Sequence, residues 1–351
     1  MATIILTGGG TAGHCIPNVA LLPYLKNDFS KIYYFGSKDG IEKEIIENQE
    51  IPYYEIPCAK LDRSFKFKNL FIPFSVISGI SKAGKLLDKL SPDIVFSKGG
   101  YVSVPTVIAA HKRKIPVIAH ESDYTVGLAN KITSRYCKKV LTSFPETAKT
   151  LKNGEYVGPP LKRSLFTPVD KKQILQNFGL TGNKPILLVT GGSQGAKPIN
   201  QALIKSLPAL LPKYEIIHIC GKGNLNKEIK RKGYFQTEFS NKIENAFKVA
   251  SVCITRAGSN TLFELISLKV PCILIPLSNN ATRGDQILNA EYFQKLGVVN
   301  VLPQNVLTAE SLVLAVNSTY SNRQNLIKNM EKHPVKDACR QISRIIADYL
   351  P

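Results

Sequence analysis

Short, wholly apolar segments alternate along this chain with longer amphipathic segments, and this alternation limits the fold more than any other sequence feature. A strand that is apolar throughout is buried on both faces, as in a parallel sheet covered by helices. Segments with helical periodicity between such strands indicate βαβ units. The pattern therefore predicts an α/β fold built from doubly wound parallel sheets.

The predicted strands form two sets, separated by one irregular stretch at residues 157–172 with three prolines. We expect two Rossmann-like domains, residues 1–160 and 161–335, and a C-terminal helix within 336–351 that packs toward the first domain. Strands are predicted at Thr3–Leu6, Ile32–Phe35, Tyr53–Ile56, Ile94–Ser97, Val117–His120, Val140–Thr142, Ile186–Thr190, Ile216–Cys220, Val252–Thr255, Ile273–Pro276 and Val299–Leu302.

The charge balance is strongly basic, with 46 Lys and Arg against 26 Asp and Glu, a net charge of +20. Such an excess indicates an anionic partner: nucleic acid, an anionic membrane surface or a phosphorylated substrate. The seven cysteines include no Cys-x-x-Cys pair, which is typical of free thiols in a reducing compartment. No leader segment and no apolar run of membrane-spanning length is found in the sequence, so we expect a cytoplasmic protein.

Three glycine-rich turns each follow a predicted strand: Gly8–Gly13, Gly99–Ser103 and Gly191–Ala196. The first satisfies the G-x-G-x-x-G pattern, in which backbone N–H groups at a helix N-terminus approach a phosphate. We expect the first and third turns along the chain to hold a diphosphate. An NAD site is disfavoured, because the second strand ends in Phe35-Gly36-Ser37-Lys38 without the acid that holds a ribose.

His14 directly follows the first turn and is the candidate general base. A helix N-terminus lowers the pKa of a histidine and favours the neutral ring that can accept a proton. His120–Asp123 ends another strand. Its polar side chains either face the same crevice or cap the following helix.

The segment Arg256–Glu264 follows a strand of the second set. Ser259 or Asn260 is expected to cap the next helix. Glu264 is either a surface acid or an acceptor for two ribose hydroxyls, and Asp285-Gln286 opens another helix in the same way. None of these positions has metal-ligand spacing, so no metal site is predicted.

Basic and aromatic residues are interleaved without any acid in Arg63–Lys85. This composition is typical of an interfacial membrane patch, for which Phe67, Phe71 and Phe74 are the candidates. Nucleic acid would suit the same charge, but no recognised nucleic-acid motif accompanies it, and no nucleic-acid partner is predicted.

Together these motifs resemble one known family. They are GGGTAGH at 8–14, GGYVSVP at 99–105, HESD at 120–123 with GLANK at 127–131, GGSQGA at 191–196, RAGSNTLFE at 256–264 and DQILNA at 285–290. The chain is similar, essentially from end to end, to the peptidoglycan glycosyltransferases. These transfer N-acetylglucosamine from UDP-N-acetylglucosamine to undecaprenyl-pyrophosphoryl-N-acetylmuramoyl-pentapeptide (lipid I), which yields lipid II.

The resemblance implies a GT-B fold, with two Rossmann-like domains facing across a cleft. It implies an inverting hexosyltransferase that uses no metal and no cofactor and that glycosylates the C4 hydroxyl of the muramoyl sugar. The first domain would bind the acceptor and the membrane, and the second would bind the UDP-sugar. The enzyme would be peripheral on the cytoplasmic side of the inner membrane, where other cell-wall synthesis proteins are candidate partners.

The resemblance also implies roles for individual residues, with His14 as the catalytic base. The UDP-N-acetylglucosamine contacts would be Thr11, Ala12, Gly13, Asp123, Lys162, Ser193, Ser240, Ser259, Asn260, Thr261, Leu262, Phe263, Glu264 and Gln286. The family usually has glycine at the position of Ala12, asparagine at Asp123, a hydrophobic residue at Ser240 and arginine at Lys162. Lysine keeps the charge but loses the bidentate fork, unless Arg163 takes this role.

Two other functions are compatible with the residues alone. A sugar-nucleotide epimerase can also use two Rossmann-like domains, but it would need more acids and histidines around the sugar than a chain with five histidines provides. A non-catalytic polyanion-binding protein would explain the charge, although it would not need His14 beside a phosphate-type turn.

Overall fold

A computed structural model describes residues 2–59, 72–192, 195–277 and 284–350. The chain divides into two compact units. The first unit is Met1–Lys162 with Lys336–Pro351, and the second unit is Arg163–Val335. Each contains one sheet in which all paired strands run parallel. The predicted α/β class with parallel sheets is confirmed.

The sheet of the first unit has the strand order β3-β2-β1-β4-β5-β6-β7. Its strands are β1 Ala2–Thr7, β2 Phe29–Gly36, β3 Tyr53–Glu55, β4 Ile94–Ser97, β5 Val117–Glu121, β6 Lys139–Thr142 and β7 Gly154–Tyr156. Its helices before residue 162 are α1 Ala12–Leu25, α2 Ile41–Glu47, α3 Ile72–Leu90, α4 Ser103–Lys112, α5 Leu128–Thr133 and α6 Pro145–Lys149.

Alternate residues of β1 belong to two different cores. Ile4 and Leu6 face the core formed with α1, whereas Ile5 faces the core formed with α3 and α4. The sheet is therefore buried on both sides, which explains why its strands are apolar throughout.

The sheet of the second unit has the strand order β10-β9-β8-β11-β12-β13. Its strands are β8 Ile186–Thr190, β9 Glu215–Ile219, β10 Tyr234–Thr237, β11 Val252–Thr255, β12 Cys272–Leu274 and β13 Asn300–Val301. Its helices are α7 Lys171–Asn177, α8 Lys197–Leu210, α9 Ile243–Val249, α10 Ser259–Ser267, α11 Asp285–Lys295, α12 Ala309–Ser321 and α13 Arg323–Lys332.

The last helix, α14 Cys339–Ala347, belongs to the first unit. Its buried residues Ile342 and Ile346 share a core with β1 and α1. The segment that precedes α14 is fixed by Asp337. Its carboxylate accepts hydrogen bonds from the Leu161 backbone N–H at 3.0 Å and from the Tyr24 hydroxyl at 3.3 Å.

Three details of the sequence prediction were wrong. Strands β7 and β10 were not predicted, because their sequences, Gly-Glu-Tyr and Tyr-Phe-Gln-Thr, contain polar residues and neither forms an apolar run. The irregular stretch at 157–172 is shorter than predicted. Asp170 caps α7 by accepting hydrogen bonds from the backbone N–H groups of Lys172 and Gln173, so a helix already begins at Lys171.

Candidate active site

In each unit a predicted motif follows each of the two strands at which the strand order reverses. These are β1 and β4 in the first unit and β8 and β11 in the second. Loops at the carboxyl ends of such strands diverge and leave a crevice, the usual ligand position of open α/β sheets. Each unit therefore has its own candidate site.

In the first unit, the turn Gly8–Gly13 connects β1 to α1. Gly10 has a φ of +86°, a backbone conformation that favours glycine, and a side chain there would collide with the ring of Tyr101. The glycine thus lets the turns that follow β1 and β4 approach each other. A Cβ on Gly100 would likewise collide with the carbonyl oxygen of Gly9.

His14 lies in the first turn of α1, as predicted, and is half-buried. Its Nδ1 is 2.9 Å from the Oγ1 of Thr11, the residue that precedes the helix. The ring is also close to Gly100, where an added Cβ would stand 3.3 Å from its Cγ. The structure therefore brings His14, the first turn and the Gly99–Ser103 turn together.

Two backbone N–H groups of the first turn already have acceptors within the protein. The Gly10 N–H donates to the Oε2 of Glu42 at 3.1 Å, and the Gly9 N–H points to the carbonyl oxygen of Gly99 at 3.4 Å. The expectation that backbone N–H groups throughout this turn would hold a phosphate is therefore wrong for these two, because acceptors within the protein already occupy them.

Glu121, at the end of β5, organises the loop that contains Asp123. One carboxylate oxygen accepts from the Asp123 N–H at 3.1 Å, and the other accepts from the Gly127 N–H at 2.8 Å and the Asn130 side chain at 2.9 Å. Burial and the nearby Asp123 raise the pKa of Glu121. The Glu121 oxygens thus bind the loop and the residue before α5. Of the two predicted roles, capping the following helix describes Glu121 better than facing the crevice.

Lys98 is a buried cation that the sequence prediction missed. It follows β4, is 1% exposed, and donates from Nζ to the Ser122 Oγ at 2.6 Å. Burial lowers its pKa to about 8, although Glu121 and Asp123 oppose this shift. Burial, followed by the charge of Lys98, lowers the pKa of the neighbouring His120 well below its ordinary value. The sequence did contain a signal for this buried lysine, because Lys98 stands directly between an apolar strand and two glycines.

In the second unit, Gly191 and Gly192 follow β8 and Ala196 precedes α8. Ser193 and Gln194 lie outside the described residues, so the donor contact predicted for Ser193 stays a prediction. Gly195 has a φ of +73°, and a side chain there would collide with the carbonyl oxygen of Cys220. The turn therefore requires glycine for its close approach to the end of β9.

Helix α10 begins soon after β11 and contains six of the nine donor contacts predicted for the second unit. Its N-cap is Gly258, so the expectation that Ser259 or Asn260 caps the helix was wrong. Glu264 follows Asn260 by four residues and Thr261 by three, which places these three partly exposed side chains on one face. The side chains of Ser259, Leu262 and Phe263 are buried, so a ligand could reach these residues only through their backbone.

Buried polar contacts connect the loops that flank α10. The Arg256 guanidinium donates to the carbonyl oxygen of Ile275 at 2.9 Å, and burial lowers its pKa. Asn289 donates to the Ala257 carbonyl at 3.1 Å, and the Gln286 side-chain oxygen accepts from the Leu277 N–H at 3.0 Å. Gln286 thus supports the loop after β12 in addition to its predicted donor contact.

The remaining predicted residues lie at the junction of the two units in the sequence and in one further loop. Lys162 is half-buried at the end of the first unit, where its charge acts on the Cys15 thiol, whose pKa burial raises to about 12. Arg163 is exposed and begins the second unit. Ser240 is in the loop between β10 and α9.

Of the predicted membrane patch, Phe67 and Phe71 lie outside the described residues. Phe74 is 72% exposed on α3, and Ile77 on the same helix is 64% exposed. Within the described residues, no helix is both long enough and apolar enough to cross a membrane. Among the same residues, no cluster of three His, Cys, Asp or Glu side chains could hold a metal ion.

Comparison with known proteins identifies the family. The glycosyltransferase family 28 N-terminal domain matches residues 4–142, and the family 28 C-terminal domain matches residues 186–342. The chain belongs to glycosyltransferase family 28. This membership establishes a glycosyltransferase and decides against the epimerase and the non-catalytic binding protein.

Curated proteins resemble the chain over 99% of its length. A protein of Clostridium botulinum (strain Langeland) is 47% identical over 99% of both chains, and one of Clostridium tetani is 46% identical over 99% of this chain and 98% of its own. Both are named UDP-N-acetylglucosamine–N-acetylmuramyl-(pentapeptide) pyrophosphoryl-undecaprenol N-acetylglucosamine transferase. The crystal structure of Acinetobacter baumannii MurG superposes with a TM-score of 0.76 at 23% identity, covering 99% of this chain and all of its own. The predicted GT-B type with two Rossmann-like domains is confirmed.

Proposed function

We propose that this family 28 enzyme transfers N-acetylglucosamine from UDP-N-acetylglucosamine to the C4 hydroxyl of the muramoyl sugar of lipid I, forming lipid II for peptidoglycan synthesis. The observation that supports this most strongly is the 47% identity, over 99% of both chains, to a transferase named for that reaction. Insertions or missing segments of domain size are incompatible with such coverage, so both units have counterparts in the relative.

The donor is assigned to the second unit. On α10, Glu264 would accept hydrogen bonds from the two ribose hydroxyls, and Asn260 and Thr261 lie on the same helix face. Gln286, Ser240, Ser193 and the backbone of Ser259, Leu262 and Phe263 are further candidate contacts with UDP-N-acetylglucosamine. Thr11, Ala12, Gly13, Asp123 and Lys162 would complete the donor contacts from the first unit.

The acceptor and the general base are assigned to the first unit. If the His14 Nδ1–H donates to Thr11 Oγ1, the ring presents the lone pair of Nε2 as the proton acceptor. Nε2 would take the proton of the C4 hydroxyl while the C4 oxygen bonds to C1 of N-acetylglucosamine. The bond from C1 to the UDP oxygen breaks in the same displacement, so C1 inverts and UDP leaves with the electron pair. No cofactor and no metal ion is required in this scheme.

The enzyme would act as a peripheral protein on the cytoplasmic side of the inner membrane, where lipid I is embedded. The exposed Phe74 on α3, the neighbouring Phe67 and Phe71 of the sequence and the net charge of +20 support this placement. Apolar side chains beside basic residues bind anionic lipid surfaces. Other cell-wall synthesis proteins are candidate partners.

The test is UDP release from UDP-N-acetylglucosamine with and without a lipid I analogue. We expect release to require the analogue and to yield one disaccharide product per UDP. The His14→Ala variant is the control for background hydrolysis. Release at the same rate without acceptor, or conversion of the donor to an epimeric UDP-sugar, would contradict the proposal.

A further inference from the structure

A buried carboxylate lies directly beneath the first glycine turn. Glu42, from helix α2, is 0% exposed. Its Oε2 accepts from the Gly10 N–H at 3.1 Å, and its Oε1 accepts from the Ser37 N–H at 3.1 Å and the Ser37 hydroxyl at 2.5 Å. Three donors thus replace the water that this carboxylate lost on burial.

The surrounding backbone makes room for this carboxylate. A Cβ on Gly9 or on Gly40 would overlap the carboxyl group of Glu42, so glycine at both positions fits the buried acid. Ser37 is itself fixed, because its carbonyl oxygen accepts a hydrogen bond from the Tyr53 hydroxyl at 2.5 Å. Glu42 therefore has one defined position between β2 and the turn after β1.

This arrangement changes the role of the glycine turn. In dinucleotide-binding folds, the corresponding turn approaches a phosphate. Here the Gly10 amide donates to Glu42, and a phosphate at this amide would have to displace a buried carboxylate of the same charge sign. What the turn does hold is Thr11, the next residue after Gly10, whose Oγ1 is 2.9 Å from the Nδ1 of His14.

We propose that Glu42 is a positioning residue for His14. By fixing Gly10, it fixes Thr11 and, through the Thr11 hydroxyl, the orientation of the imidazole. The proposal rests on the proposed function, in which His14 is the general base. Displacing a catalytic group by about 1 Å can reduce a rate by about 10²-fold, so loss of the Glu42 contact need not unfold the protein to affect turnover.

A double-mutant cycle with full-length protein tests this. Glu42→Gln keeps the size of the side chain but replaces one of the two accepting carboxylate oxygens by an NH₂ group, which cannot accept a hydrogen bond. We expect it to lower kcat by roughly 10- to 100-fold with the donor KM within about twofold of wild type. In a His14→Ala background the same substitution should lower kcat by less than about twofold, because residues that act as a unit are not additive.

The matched control is Glu44→Gln on the same helix, whose side chain is exposed. It should leave kcat unchanged, and thermal unfolding with UDP-binding measurements checks the fold of every variant. Equal kcat losses from Glu42→Gln in the two backgrounds would overturn the positioning role, as would a folded Glu42→Gln enzyme with normal kcat. A fully active His14→Ala variant would instead remove His14 as the base, and with it the group that Glu42 is proposed to position.

Discussion

The Nζ of Lys98 donates a hydrogen bond to the Oγ of Ser122 at 2.6 Å and so connects the loops that follow β4 and β5 inside the first unit. Glu121 and Asp123 raise its pKa against the effect of burial, and its charge, together with burial, lowers the pKa of His120. A buried ammonium is stabilised less than a hydrated one, which is why its pKa falls to about 8 from an ordinary 10.5.

This shift predicts how stability changes with pH. Between about pH 8 and 10.5 the unfolded chain binds a proton at Lys98 that the folded protein has released, so Lys98 makes the free energy of unfolding rise with pH. From pH 7 to 9.5 the gain should be about 2 kcal/mol relative to Lys98→Met, measured by urea unfolding. Lys89→Met, an exposed lysine on α3, is the control. If the difference in the free energy of unfolding between wild type and Lys98→Met does not change over this range, the prediction is refuted.

The His14→Ala substitution should lower kcat by roughly 10²- to 10⁴-fold, the usual contribution of general-base catalysis. The donor KM should hardly change, because the ribose and uracil contacts are assigned to the second unit. Steady-state kinetics with a lipid I analogue provides the measurement, and His333→Ala, an exposed histidine after α13, is the control. Near-normal kcat would point to a different base, with Asp123 as the next candidate.

Glu264→Ala should raise the donor KM by roughly 10- to 100-fold, since a hydrogen bond to a charged group contributes about 1.5–3 kcal/mol. The fold should persist, because the side chain is partly exposed on α10. Glu291→Ala, an exposed acid on α11, is the matched control. A donor KM equal to that of the control would remove Glu264 from the ribose site.

Membrane binding should depend on the exposed apolar side chains of α3. The double substitution Phe74→Ser and Ile77→Ser should weaken binding to anionic vesicles by about tenfold or more, because each buried apolar side chain contributes about 1.5–3 kcal/mol. Vesicle co-sedimentation at low and high salt measures the apolar and the charge contributions separately. Leu314→Ser, which is 70% exposed on α12, should have no effect. Undiminished binding of the α3 variant would exclude this helix from the membrane contact.

Turnover should be complete in excess EDTA. We expect backbone amides of the Gly191–Ala196 turn and the helix N-terminus after it to stabilise the leaving diphosphate, so no divalent ion is needed. The control is the same EDTA solution saturated with magnesium. Activity that is lost in EDTA and restored by magnesium would contradict the scheme.

The sequence predicted the features that depend on local order. His14 follows a glycine turn that follows a strand, and these two facts place it at the carboxyl edge of a parallel sheet. The apolar runs located most strands of both sheets, because those strands are buried on both faces. Asp285 begins α11, as the polar loop before it indicated.

What could not be predicted depends on contacts between distant residues. Glu42 accepts a hydrogen bond from Gly10, which is 32 residues away in the sequence. Nothing in the local pattern of α2 distinguishes Glu42 from the exposed Glu44. Lys98 and Ser122 are similarly joined only when β4 pairs with β5. Burial of Leu262 and Phe263 depends on tertiary packing, here on Phe263 against Phe293, and motif matching alone does not reveal it.

The return of α14 to the first unit has a consequence for biosynthesis. The second unit is inserted between two parts of the first, so the ribosome completes Arg163–Val335 before it makes the helix that covers α1. At about 5–20 residues per second, the first sheet waits roughly 10–35 s with that apolar face uncovered. A nascent chain stalled within the second unit should therefore attract chaperones through the N-terminal part, although that part contains all seven of its strands.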